Sequence, residues 1–179
     1  MTSEQTKEIN SSWELAFRTQ LILEEQREIF DYWNRLRVGR EMPARLDVDP
    51  AEMTPYLPLI SLTEIDDENG RFKVRLAGTR FRDIFDEEIT GKYVDDLGFG
   101  DQHDYWMAAY DRVRDQRRPA QGVAPVNWRD KGDLFAFWMR LPLSKNDDHV
   151  DMMLGLDVFL VSAKADALSK SNGLSLVAK

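Results

Sequence analysis

The strongest constraint on the fold is a change of period between Arg71 and Leu97. Phe72, Val74 and Leu76 alternate with Arg71, Lys73 and Arg75, the period of a strand with one buried face. From Thr79 the apolar residues Phe81, Ile84 and Phe85 fall at i, i+3 and i+4, so the chain leaves a sheet at Gly78-Thr79 and begins an amphipathic helix. A Thr90-Gly91 turn then leads into a second short helix before Leu97. A sheet with short helices laid back over one face encloses a space, and function is expected there.

The flanking segments extend this pattern. Ser11-Ser12-Trp13-Glu14 contains an S-x-x-E capping box, which predicts one long helix running to about Arg37 and stopping near Gly39. In that helix Leu15, Ile22, Ile29 and Leu36 are spaced by sevens, and Ala16, Leu23 and Phe30 form an adjacent stripe. Such a surface suits packing on the parent domain, a helix seam in a homodimer, or both. Arg40 to Pro58 carries four of the seven prolines and reads as an ordered connector, with Asp49 and Pro50 opening a one-turn helix and Arg45 and Asp47 fixing a turn. Leu59 to Ile65 reads as a strand, joined to the Arg71 strand through Asn69-Gly70, a hairpin signal. Asp101 to Arg117 reads as a helix stopped by Pro119. Strand-like runs follow at Gly122 to Arg129, Leu134 to Leu143 and Met152 to Val161, the first two separated by the turn Asp130 to Asp133.

Two strands, a helical insert and three more strands make an α+β protein with one five-stranded antiparallel sheet and helices on one face. The expected divisions are an N-terminal helix at 1–40, a main domain at 41–161 and a flexible tail at 162–179, with a short helix at Lys164 to Leu168.

This order resembles a PAS domain, and more narrowly the stand-alone PAS-like family common in alphaproteobacteria. The resemblance rests on Phe30-Asp31-Tyr32-Trp33 with Leu36, Pro43-Ala44-Arg45 through Asp47 to Pro50, and Tyr56-Leu57-Pro58. It rests most specifically on Phe72 to Thr79, which ends in Arg-Leu-Ala-Gly-Thr, and on Thr90-Gly91 before Asp95 to Leu97. It covers about Glu28 to Val161 and implies the sheet order 2-1-5-4-3. The implied role is that of a non-enzymatic sensor or adaptor that binds a small molecule, a signalling partner in trans, or both.

Charge and composition narrow the alternatives. A net charge of −8 argues against binding nucleic acid, which needs a basic face, and no apolar run is long enough to span a membrane. A cytoplasmic location is expected. Cysteine is absent, which excludes disulfides, thiolate metal sites and a flavin–cysteine adduct. Of two histidines, His103 lies near the helix that carries the iron ligand in haem-binding PAS domains, but its polar neighbours favour a capping role; His149 sits in a turn. No metal site is expected. The acidic loop Asp66 to Gly70 lacks calcium-loop spacing. The candidate pocket residues are aromatic: Phe81, Phe85, Tyr93, Trp106, Tyr110, and Phe137 or Trp138. The face of the Leu134 strand that meets the helices stays open, because both faces are apolar. Two other readings are an interaction module with a filled core and a small cone-shaped α+β enzyme, such as an isomerase or dehydratase, with Asp157 as its acid–base group.

Overall fold

The computed structural model describes residues 3–128 and 133–172. The predicted strand end at Arg129 and most of the turn after it lie outside the described residues, as does the end of the tail. Strands β1 (Ile60–Ile65), β2 (Phe72–Ala77), β3 (Ala120–Pro125), β4 (Leu134–Leu143) and β5 (Met152–Val161) form one antiparallel sheet in the order β2-β1-β5-β4-β3. This is the architecture and order expected from the sequence. The Asn69-Gly70 hairpin is present: the Asp66 carbonyl accepts from the Gly70 N–H at 2.7 Å, and Gly70 takes a φ of +71° that suits glycine.

The N-terminal segment departs from expectation. Instead of one helix there are two, α1 (Ser3–Gln20) and α2 (Glu24–Leu36), and Ser11 lies inside α1 rather than at its start. The break buries Leu21, Ile22 and Leu23 together. A continuous helix would spread three consecutive side chains over about 200° and could not turn all of them inward. Gln26 supports the new start by accepting the Leu23 N–H at 3.2 Å. The chain reverses, Phe17 meets Phe30 at 5.0 Å, and Arg18 grips Asp31 with bonds of 2.7 and 2.8 Å. Arg37 locks the pair: it is buried, bonds to Glu14 and to Asn34 Oδ1 at 2.9 Å, and lies against the rings of Trp13 and Trp33. The heptad stripe is therefore divided, with Ile22 and Ile29 buried and Leu15 64% exposed.

The proline-rich connector is ordered as expected, although its helical stretch runs well past the single turn expected. Asp49 Oδ1 accepts from the Ala51 N–H at 2.9 Å, and Asp47 Oδ2 accepts from the Ala44 N–H at 2.7 Å. The connector ends in a 3-10 stretch over Pro50–Leu59 whose last carbonyls press on the corner after β2. A Cβ at Gly78 would stand 2.2 Å from the Leu57 carbonyl oxygen and 2.4 Å from that of Pro58. These are backbone atoms, so no side chain can move aside. We expect Gly78→Ala to cost about 1–3 kcal/mol, measured as a lower midpoint in urea; an unchanged midpoint would show that the corner is not closed.

Beyond that corner α3 (Thr79–Phe85) and α4 (His103–Gln116) cover one face of the sheet, with a 3-10 turn at Val94–Asp96 between them. α2 packs on the opposite face of β4, and α5 (Ser162–Ser171) packs against β4 and β5. The helix expected at Lys164 to Leu168 is thus present and longer, seated by the fully buried Ala165. β4 can be apolar on both faces because both are covered.

Candidate functional site

Alternation along β4 and β5 decides what faces α3 and α4. Trp138 and Arg140 of β4, Asp157 and Phe159 of β5, and Ser61 and Thr63 of β1 lie on that inner side, whereas Phe135, Phe137 and Met139 point to the other. A cavity lies between the inner face and the helices. Its floor holds Ser61, Thr63, Arg140 and Asp157, and its walls include Phe81, Phe85, Phe99, Trp106, Tyr110 and Trp128. The aromatic wall is closely packed: Phe99 stacks on Trp106 at 5.5 Å, and Trp128 meets Phe99 edge-on at 5.3 Å.

The candidate residues divide accordingly. Phe81, Phe85, Trp106 and Tyr110 line the cavity. Trp138 shares the inner face but sits behind Trp106 at 5.7 Å, its indole Nε1 donating to the Tyr105 hydroxyl at 2.8 Å. Phe137 is corrected: it is one residue out of phase and lies fully buried under the opposite face. Tyr93 is also corrected. Its hydroxyl donates to Asp66 Oδ2 at 2.5 Å, and its ring stacks under the Arg71 guanidinium at 3.9 Å, so it closes the β2 edge rather than the cavity. His103 is exposed beside Asp104 and is absent from the cavity lining.

The main feature missed from sequence is an ion pair. Arg140 Nη1 and Nη2 donate to the two carboxylate oxygens of Asp157 at 2.8 and 3.0 Å, and both side chains are about 95% buried. Burial opposes the charge on Arg140, but the Asp157 carboxylate, aided by Tyr110, outweighs it and raises the guanidinium pKa, so Arg140 stays protonated. Burial pushes the Asp157 carboxyl up, and the guanidinium pulls it back. Arg140 Nη1 also donates to the Met139 carbonyl at 3.0 Å, and the guanidinium lies 5.1 Å from the Tyr110 ring centre. Gly155 makes the arrangement feasible, since a Cβ there would stand 2.3 Å from Ser61 Oγ and 3.2 Å from Arg140 Nη1. An arginine and an aspartate in otherwise apolar strands were the sequence signal for the cavity face.

Four polar atoms at this cavity are buried without a hydrogen-bond partner: Arg140 Nε, Ser61 Oγ, Trp106 Nε1 and Trp128 Nε1. The space that the centre of a water-sized sphere can occupy is about 30 Å³, room for about two waters. Neither haem nor a flavin ring fits that space as it stands. Haem lacks an imidazole in the lining, and a flavin adduct lacks a thiol anywhere in the chain.

A sheet of this order, with short helices closing a small chamber over one face, defines an α+β domain class. The chain belongs to the PAS domain family, whose model matches residues 23–158. Among solved structures, one with a TM-score above 0.5 agrees at the level of fold. A light-oxygen-voltage domain studied with a flavin analogue shares 12% identity over 69% of this chain and 92% of its own, with a TM-score of 0.53. The Rhodobacter sphaeroides light-oxygen-voltage protein shares 14% over 73% and 86%, with a TM-score of 0.48. A sensory box histidine kinase of Vibrio cholerae shares 12% over 63% and 87%, with a TM-score of 0.43. No curated protein matches the chain. Among the described residues no helix is long and apolar enough to cross a membrane.

Proposed function

We propose that this PAS domain is a non-enzymatic sensor or adaptor, cytoplasmic, that takes a small molecule into the chamber between sheet and helices and passes its output to a signalling partner in trans. The observation that carries this reading is the set of four buried polar atoms without partners around an aromatic chamber, a composition that suits recognition better than a filled core. The enzyme reading is weaker for a specific reason: both oxygens of Asp157 pair with Arg140 in a buried two-bond ion pair, which gives the carboxylate a structural role. A homodimer belongs to the same proposal. With α2 committed to the sheet, one apolar surface open to a second copy is the side of α1 that exposes Leu15.

Native mass spectrometry with an absorption spectrum on freshly purified protein tests this. The expected result is a dimer mass carrying a small adduct and no visible band. A haem or flavin band would overturn the ligand assignment, an adduct-free protein would remove the small-molecule half of the proposal, and a monomer mass would remove the dimer.

A further inference from the structure

Resting on the reading of the chamber as a ligand site, we infer that its ligand is a small neutral molecule with an apolar body and a hydrogen-bond-accepting oxygen, such as a ketone. The unpartnered atoms carry the argument. Arg140 Nε, Trp106 Nε1 and Trp128 Nε1 can only donate, and Ser61 Oγ can donate as well as accept. Ser61, Trp106 and Arg140 are each more than nine-tenths buried. Donors on the floor and wall of one chamber call for an acceptor among them.

Charge then separates neutral acceptors from anions. Arg140 and Asp157 already neutralise each other through two bonds, so an incoming carboxylate would bring an unbalanced charge beside the Asp157 carboxylate in a site remote from water. A cation fares no better beside the Arg140 guanidinium, and a pure donor would find only Ser61 Oγ among the unpartnered atoms able to accept from it. A neutral oxygen meets neither penalty. It takes the guanidinium edge that Asp157 leaves free, and the rings of Phe81, Phe85 and Phe99 accept the apolar remainder. Asp157 is a positioning residue here: it holds the guanidinium so that Nε stays available.

The test uses three probes of similar shape that suit a space of about two waters, acetone, acetate and isopropylammonium, added to the full chain labelled with ¹⁵N. Indole N–H resonances are the readout, assigned with Trp106→Phe and Trp128→Phe. Acetone is expected to shift the Trp106 and Trp128 indole signals saturably, leaving those of Trp33 and Trp138, which already donate to Pro142 and Tyr105. Ser61→Ala is expected to weaken this binding about fivefold, the worth of about one neutral hydrogen bond. The double variant Arg140→Met, Asp157→Leu is expected to keep a dispersed spectrum and weaken binding at least tenfold. If the carboxylate or the ammonium shifts these indoles as strongly as the ketone, the inference is overturned while the chamber remains a ligand site. If no probe shifts them, the inference also fails, and the native mass spectrum decides separately whether the chamber holds a ligand.

Discussion

Arg140→Gln should destabilise the protein by about 3–5 kcal/mol, because it leaves the Asp157 carboxylate buried without its counter-charge. Glutamine can offer at most one of the two lost bonds, and its amide is neutral. The partner substitution Asp157→Leu should cost a similar amount by stranding the guanidinium. Replacing both, as Arg140→Met with Asp157→Leu, should recover most of the loss, since well-packed apolar side chains of similar volume often match a buried ion pair in stability. Urea unfolding of the four proteins gives the coupling directly. A loss below about 1 kcal/mol for Arg140→Gln would mean that the pair behaves as a solvated one and that the chamber is wetter than the geometry shows.

Trp33→Ala should cost about 3–5 kcal/mol, the range for emptying a large aromatic site. Trp33 is fully buried, stacks on Phe30 at 6.0 Å and donates its indole N–H to the Pro142 carbonyl at 2.8 Å. Trp33→Phe separates the two contributions. It keeps most of the apolar contact and loses the hydrogen bond, so it should cost about 1–2 kcal/mol. Equal losses for the two variants in thermal unfolding would show that the hydrogen bond, and not the ring, holds α2 to the sheet.

The parts of the fold legible in the sequence were those with a local physical cause. Alternation in Phe72 to Leu76, the glycine at Asn69-Gly70 and the altered period after Thr79 are each decided by neighbours within a few residues; the structure follows the last two and keeps the alternation through Val74, after which a bulge at Arg75 leaves Leu76 exposed. The reversal at Leu21 to Leu23 was not legible, because the same seven-residue spacing is produced by one long helix and by two short ones stacked on each other. Two cavity residues named from sequence, Phe81 and Phe85, came from a helix with a clear inner face; Phe137 did not, because β4 offers apolar side chains on both sides. The ion pair escaped for a different reason. Arg140 and Asp157 are diagonal neighbours across a hairpin, Arg140 standing opposite Gly155 and Asp157 opposite Trp138. That register is fixed only once the turn between β4 and β5 is known.

The bond from Trp33 to Pro142 has a further consequence for solubility. Pairing between β3 and β4 ends at Ala120 and Arg140, so Leu141 to Leu143 run on past the neighbouring strand. An apolar strand end of that kind is a template for another chain. Here Pro142 has no N–H to offer, its carbonyl is taken by Trp33, and the Ser144 N–H is taken by the Pro43 carbonyl at 2.9 Å. The same contact that fastens α2 to the sheet therefore guards the protein against edge-to-edge aggregation.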